Sequence, residues 1–396
     1  MPPLPRPEVV SLGCRLNIAE SETIRAMLAG REVAVVNSCA VTNEAVKQTR
    51  AAVRRLRRER PGAELVVTGC AAEVDPAGFA AMPEVDRVVG NLRKLAPEEW
   101  GAAAPPTTRF EEHARAFVEV QNGCDHRCTF CAIPFGRGPS RSVPAGAVVE
   151  RIAGLVAAGH REVVLTGVDV TSYGHELPGA PTLGTLVERV LRFVPGLERL
   201  RLSSLDPVEI DERLFELVAG EPRVMPHLHL SLQAGDDLVL KRMKRRHSRA
   251  QAVAVVERIK ARRGVAVGAD LIAGFPTEDD AMFANTLAAL DDCDVVHAHV
   301  FPYSPRAGTP AARMPQVPPA VARERAARLR VRAAERKRAW LAGLVGGVED
   351  VLVERPGDRG RSPGFAEVRL PPSPPGSVRR VRIAAATDTH LEGVTP

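Results

Sequence analysis

Three cysteines stand close together in the stretch "GCDHRCTFCAIP": Cys124, Cys128 and Cys131. Gaps of three and two residues let one loop aim all three thiols at a single metal centre. Structural zinc sites close with a fourth Cys or His. His126 lies between the first two cysteines, but so short a loop would have to fold tightly to bring it to the same ion. Ferredoxin-type runs use two-residue gaps and four cysteines across the chain, and no fourth cysteine is near. A cubane cluster has four irons, so three thiolates leave one iron to be held by something else.

Three more cysteines are spread through the first hundred residues, each ending an apolar run: "EVVSLGC" at Cys14, "EVAVVNSC" at Cys39 and "AELVVTGC" at Cys70. Helical patterns separate the runs, "NIAESETIRAML" and "NEAVKQTRAAVRRL" among them, and "VDRVVG" closes the unit. Buried β-branched runs alternating with helices mark a parallel α/β sheet. In such a sheet the carboxyl ends of the strands share one edge, where these folds place ligands. Cys14, Cys39 and Cys70 are therefore expected to converge in space.

The cysteine loop at 124–131 follows the first of six strand-then-helix units, near "AFVEVQ", "EVVLTG", "LRLSSL", "HLHLSL", "VGADLIAG" and "VVHAHVF". Six units make an incomplete relative of the eight-unit barrel, with its site at the carboxyl ends of the strands. The Pro/Ala/Gly stretch 101–110 reads as a linker, and the basic stretch 318–345 as a last helix. Beyond residue 347, "VEDVLVE", "GFAEVRL", "SVRRVRIAAA" and "HLEGV" are short strands split by Pro/Gly turns, a pattern for a small β-barrel. The expected class is α/β, with a parallel sheet domain over 1–104, a partial (β/α)6 barrel over 110–345 and a β-barrel over 347–396.

The chain of 396 residues exceeds one ordinary core. No apolar run approaches the roughly 18 residues of a membrane span, and the N-terminus lacks the apolar stretch of a secretory signal. A cytoplasmic location is expected, where seven cysteines favour metal binding or catalysis over disulfides. The net charge of +6 concentrates in runs at 44–60, 241–246 and 320–338. Each run is as readily a solvated helix face, but together they lean towards nucleic acid. The last fifty residues carry balanced charge.

C-x3-C-x2-C on the first βα loop of a partial barrel resembles the radical S-adenosylmethionine (SAM) enzymes. The resemblance implies that SAM itself holds the fourth iron at Cys124, Cys128 and Cys131, and is cleaved there to a radical. "GCRLN", "VVNSCAVT" and "VVTGCAA" resemble the opening segments of the methylthiotransferase branch. "SLQAGDDLVLKRMKRRH", "DLIAGFPTE" and "HVFPYSPRAGT" resemble its barrel signatures. The C-terminal strands are similar to that branch's RNA-binding TRAM domain.

Carried over, Cys14, Cys39 and Cys70 would hold a second 4Fe-4S cluster with an open iron for sulfur. Thr166 and Gly167 in "TGVD", Ser203 in "SSLDP", Gln233 in "SLQAG" and Gly274 in "GADLIAGFP" would line the SAM pocket, with plain barrel architecture the equal alternative. Cys293 is expected in the core, and structural roles are expected for His126, His229 and His299.

The family implies methylthiolation with two SAM molecules. Threonylcarbamoyladenosine at tRNA position 37 is the favoured substrate; isopentenyladenosine tRNA and a ribosomal-protein aspartate are the rivals. The implied partners are tRNA, a flavodoxin- or ferredoxin-like electron donor and a sulfur source, with no membrane or DNA. A non-catalytic RNA-binding protein with a structural metal is the alternative of a different class.

Overall fold

A computed structural model describes residues 7–103, 110 and 112–395, so most of the stretch read as a linker lies outside the described residues. The first unit runs β1 (Glu8–Ser11), α1 (Arg15–Met27), β2 (Val33–Ser38), α2 (Asn43–Glu59), β3 (Glu64–Gly69), α3 (Cys70–Val74), α4 (Pro76–Ala80) and β4 (Arg87–Val88). Its four strands lie parallel in the order β1-β2-β3-β4. Every residue of β2 is buried, as a central parallel strand covered on both faces requires. Thr42 caps α2 by accepting a hydrogen bond from the Ala45 amide, and Thr49, Ala52, Val53 and Leu56 form its buried stripe.

The central unit contains β5 (Arg115–Glu119), β6 (Gln121–Asn122), α5 (Ile133–Arg137), β7 (Arg141–Ser142), α6 (Ala145–Ala157), β8 (Glu162–Thr166), α7 (Leu183–Phe193) and β9 (Arg199–Leu202). It continues with α8 (Glu212–Gly220), β10 (His227–Gln233), α9 (Asp237–Met243), α10 (Arg249–Lys260), β11 (Ala266–Ala273), α11 (Asp280–Asp292), β12 (Val295–Pro302) and α12 (Pro319–Gly343). Two parallel three-stranded sheets, β5-β8-β9 and β10-β11-β12, meet at single bridges, Leu200 to Val224 and Leu205 to Leu230. Together they form the wall of a barrel that is open along one side, and α1 of the first unit packs against β5 there. Cys293 is fully buried just before β12, in the core as expected.

The last unit is a closed barrel, β13 (Val348–Glu354), β14 (Arg359–Arg361), β15 (Glu367–Arg369), β17 (Leu391–Val394) and β16 (Val378–Ala386). β14 is an addition to the four strands read from the sequence; its "RGR" lies in a Gly- and Arg-rich stretch that reads as a turn. No helix among the described residues is long and apolar enough to cross a membrane.

This small barrel plugs the central one. Along β9, Arg199 and Arg201 alternate with Leu200 and Leu202, so both guanidiniums share a face, and both bind Glu162 of β8, at 2.7 and 2.9 Å. They also donate to carbonyls of the last unit, Asp350 and Pro363. Phe365 reaches in from the same unit with φ +73, a conformation rare for a bulky residue. The guanidiniums of Arg201, Arg115, Arg361 and Arg15 lie 4.8, 5.0, 5.2 and 5.4 Å from its ring centroid, and His227 packs on the ring at 5.1 Å. Cation–π contacts of about 0.5–1 kcal/mol each offset a backbone strain of about 1–3 kcal/mol. Phe365→Ala is expected to cost about 2–4 kcal/mol and lower the thermal midpoint by circular dichroism. An unchanged midpoint would show that the ring is not a structural plug.

Candidate functional site

A short antiparallel pair, β6 with β7, brackets the cysteine loop. Gly123, just before Cys124, has φ +72, and a Cβ there would sit 1.9 Å from the Pro139 carbonyl. The turn therefore requires glycine. Gly69, just before Cys70, is bound likewise: φ +92, with a Cβ 2.5 Å from the Ser38 backbone. Ser38 Oγ then accepts the amides of Ala71 and Ala72 at 3.1 Å each and seats the first turn of α3, which begins at Cys70.

All seven cysteines are free thiols. Cys14 caps α1, Cys39 follows β2 and Cys70 follows β3, so the strand ends bring the three together. Burial pushes the Cys39 thiol up to about 11, with Cys14 and Cys70 adding to the rise. Burial also raises Cys70, against the pull of the Arg137 and Lys94 cations. In the second trio burial pushes Cys124 and Cys131 up to about 12, and the Asp169 carboxylate adds to the shift at Cys124. Cationic iron is the natural counterweight for such thiols, because ligation requires the thiolate.

The donor set fits clusters better than single ions. Tetrahedral zinc at about 2.3 Å from each sulfur would hold its ligands roughly 3.8 Å apart. Among the described residues, ligand-type atoms gather within 4.8 Å of one another in two groups, His229–Asp270–His299 and His126–Asp169–Glu209, and neither cysteine trio is among them. Both ring nitrogens of His126 have other contacts. Its Nε2 lies 2.8 Å from Asp169 Oδ2, and its Nδ1 contacts Arg246. Hydrogen bonding to Asp169, then to Glu209, raises it to about 9, which favours its protonated form beside those carboxylates.

Polar groups around the loop point at its sulfurs. The Ile133 amide lies 3.4 Å from Cys131 Sγ, and Arg245 Nη1 lies 3.6 Å from Cys128 Sγ. Arg245 is itself held by Asp206 at 2.7 Å. Gln121 Oε1 accepts the amides of Val168 and Asp169, which fixes the loop after β8.

Thr166 is buried at the end of β8, and Gly167 packs on Gln121. Ser203 Oγ is buried without a hydrogen-bond partner after β9, and Gln233 has φ +67 at the end of β10. Gly274 lies against Ala322 of α12, a packing reason for its lack of a side chain. Asp169, Asp206 and Arg245 went unselected by sequence, although Asp169 ends the quoted "TGVD". The three histidines expected to be structural all contact carboxylates. His229 and His299 flank Asp270 at 3.2 and 3.1 Å.

The two trios face each other. Asn91 Nδ2 donates to the Gly136 carbonyl at 2.5 Å and lies 3.9 Å from Cys70 Sγ. A Cβ on Gly136 would stand 3.2 Å from Cys70. Below this contact Glu20 binds Lys94 at 2.5 Å and Arg137 at 2.9 Å, all three buried. Arg137 also donates to Asn17, whose amide reaches the Ser38 carbonyl. A pocket of about 240 Å³ opens between Val41 and Thr42, beside Cys39, and Phe130, Gln233, Asp270 and Tyr303 of the barrel. A larger cavity, about 360 Å³, lies by Phe110 and Pro375, away from this edge.

Comparison with known proteins agrees with this architecture. Residues 118–290 match the Radical SAM superfamily, and residues 6–90 match a family described as Uncharacterized protein family UPF0004. The threonylcarbamoyladenosine tRNA methylthiotransferase MtaB of Rickettsia prowazekii is 49% identical over 345 residues, 82% of each chain. The tRNA-2-methylthio-N(6)-dimethylallyladenosine synthase of Maricaulis maris is 33% identical, over 97% of this chain and 96% of that one. The solved radical SAM methyltransferase TsrM from Kitasatospora setae shares the fold, with a TM-score of 0.53 at 17% identity over 71% of this chain and 66% of that one.

The Glu20 carboxylate can be tested directly. Lys94 and Arg137 hold it down at about 2 although burial opposes them. A depressed carboxylate stabilises the fold above its unfolded value, near 4.5, and that stability is lost as pH falls towards 2. Glu20→Gln leaves two buried cations unpaired and is expected to cost about 3–5 kcal/mol at pH 7. Urea unfolding should show the deficit at pH 7 shrinking as pH drops below 4.5. A deficit that is the same at pH 7 and pH 3 would show that the charge is not what matters.

Proposed function

The chain belongs to the radical SAM methylthiotransferase family, and from that premise we propose that it attaches a methylthio group to carbon 2 of N6-threonylcarbamoyladenosine at tRNA position 37, using two SAM molecules and cluster-held sulfur. The observation that carries this reading is the juxtaposition of two cysteine trios across the Asn91–Gly136 contact, with a pocket opening beside it. Bound at Cys124, Cys128 and Cys131, a cluster and SAM would supply radical chemistry, and a cluster at Cys14, Cys39 and Cys70 would supply sulfur, which requires the two trios to be neighbours. The choice of nucleoside is supported by the 49% identity to the Rickettsia methylthiotransferase.

Cys124, Cys128 and Cys131 would hold the cluster that binds SAM, and Cys14, Cys39 and Cys70 a second one. When bound, these groups supply reductive cleavage of SAM and hydrogen abstraction from a carbon that no acid–base residue can deprotonate. Arg245 and the Ile133 amide stabilise thiolate sulfur by N–H···S contacts. Ser203 Oγ, buried with no hydrogen-bond partner among the described residues, would accept from or donate to SAM, with Thr166 and Gln233 at the ends of β8 and β10 and Gly167 and Gly274 just after β8 and β11. Val41, Phe130 and Ile272 line the pocket with apolar surface that a bound substrate would cover. A flavodoxin- or ferredoxin-like reductant and a sulfur source complete the cycle.

The basic runs divide differently from their sequence reading. On α2, Arg54 and Arg55 face Glu84 and Glu59, and Arg50, Arg57 and Arg60 pair with Asp75, Asp86 and Glu8. On α12, Arg325, Arg332 and Arg336 tie the helix to acidic residues of the barrel. In "KRMKRR" Arg245 and Arg246 serve the cysteine loop. Arg58 of α2 is exposed with no ion pair among the described residues, and β16 gathers three such arginines, Arg379, Arg380 and Arg382, on one strand. These three are the better phosphate contacts.

Reversing Arg379, Arg380 and Arg382 to Glu is expected to weaken tRNA binding by at least about tenfold and to flatten its salt dependence by two to three in slope. Reversal of Arg54, Arg55 and Arg58 should do less. Equal affinity of the β16 variant and the wild type would remove that strand from the RNA face.

Function itself is read by nucleoside mass spectrometry of tRNA from a host lacking the endogenous activity. Methylthio-threonylcarbamoyladenosine should appear with the wild type and vanish with Cys14→Ala or Cys124→Ala. Cys124→Ala should lose SAM cleavage yet keep about half the iron. Methylthio-isopentenyladenosine instead would overturn the choice of nucleoside, and no methylthio nucleoside would overturn tRNA as the substrate.

A further inference from the structure

The lumen of the central barrel is lined by charge, and among the described residues its ion pairs include no partner for Arg15. Glu162 is occupied by Arg199 at 2.7 Å and Arg201 at 2.9 Å. Glu354 of the last unit is occupied by Arg115 at 2.6 Å, with Arg361 at 3.5 Å. Asp270 is flanked by His229 at 3.2 Å and His299 at 3.1 Å. Arg15, the first residue of α1, sends its guanidinium into the same space and rests on the Phe365 ring at 5.4 Å. Arg115 and Arg201, then Glu162 and Asp270, are its electrostatic neighbours, yet no hydrogen bond or ion pair to it is found among the described residues. An unpaired guanidinium kept in such a site is a standing demand for an anion.

The position of this cation limits what the anion can be. Phe365 closes the lumen below it. Asp270, on the other side, also lines the pocket beside Cys39 and Phe130. A ligand therefore reaches Arg15 from the pocket, past Asp270. A backbone phosphate stays with the ribose outside, but a chain hanging from a base held in the pocket can extend inwards. His299, 61% exposed at its side chain, engages Asp270 through Nδ1, which leaves Nε2 for a hydroxyl or carbonyl on the same ligand.

We infer that Arg15 is the specificity-determining residue that receives the carboxylate of the substrate's threonyl substituent, with His299 as its neighbouring polar contact. The inference rests on the reading of threonylcarbamoyladenosine as substrate. Arg15 touches no reacting atom; it fixes which base side chain can enter fully. An apolar substituent would leave the guanidinium without an anion, and the site would reject it for that reason.

The test uses full-length, anaerobically reconstituted protein and three anticodon stem-loop RNAs read by fluorescence anisotropy. They carry at position 37 threonylcarbamoyladenosine, its carboxyl methyl ester, or adenosine. The wild type is expected to bind the free acid roughly tenfold or more tighter than the ester, the scale of a charge-assisted hydrogen bond. Arg15→Gln should erase that difference without changing affinity for the adenosine RNA, and Arg15→Lys should keep part of it. Iron content and SAM cleavage are measured on each variant, so that a disturbed Cys14 is seen as such. Should Arg15→Gln fail to fold, the acid-against-ester comparison on the wild type and Arg15→Lys still decides. Equal binding of acid and ester by a wild type that makes the methylthio product overturns the role of Arg15 alone. Equal binding of all three RNAs without that product overturns the substrate reading beneath it. An undiminished acid preference in folded Arg15→Gln assigns the carboxylate to another residue.

Discussion

One buried carboxylate sets the relation between the two halves of the site. Glu20 sits on α1, Lys94 follows β4, and Arg137 ends the short helix after Cys131, so three separated segments meet at one charge. Neither cation can be buried alone, since an uncompensated interior charge costs several kcal/mol, and each is buried beside the other only because Glu20 lies between them. Arg137 extends the tie to Asn17 and Asn122, and Asn17 to the strand end at Ser38. The cysteine edge of the first sheet and the cysteine loop of the barrel are thereby locked in register. The same two cations also draw down the buried Cys70 thiol against its desolvation. The register of the two cysteine segments and the charge felt by Cys70 follow from a single arrangement.

Away from this edge the barrel is organised as layers of charge. Thiols and their donors occupy the carboxyl ends of the strands, Asp270 with its two histidines the middle, and arginines with Glu162 the far end. Strand alternation builds these layers: "RLRL" of β9, "HLHL" of β10 and "HAH" of β12 put every second residue on the lumen side. Pairs across neighbouring strands hold Glu162 and Asp270, whereas Arg15 from α1 and Nδ1 of His227 have no hydrogen-bond partner among the described residues.

Much of this was legible in the sequence where local rules apply. Apolar β-branched runs ending in cysteine specified both the parallel sheet and the convergence of Cys14, Cys39 and Cys70, because strand ends must share an edge. C-x3-C-x2-C specified a one-loop trio. What escaped were effects set by distant partners. The arginines of α2 and α12 looked like an RNA face, but Glu84, Asp86 and Asp291 lie far off in sequence and claim many of them. β14 has no strand pattern because its ladder bonds, not its side chains, hold it in the closed barrel. Phe365 carries no local signal, and Arg15 lies in the quoted "GCRLN" without its role being readable there; they matter because one comes from each end of the chain to the middle of another unit.

That last meeting bears on how such a chain can be rearranged. The small terminal barrel closes on itself as a five-stranded unit with its own core, the kind of part that could be exchanged as a block. Here it also supplies the floor of the reaction chamber, through Phe365 and through the carbonyls that receive Arg199 and Arg201. The opposite wall is closed by a helix from the first unit. A graft that exchanges either end would bring a new chamber surface with it, so the three units are inherited as one interior even though they are written as three.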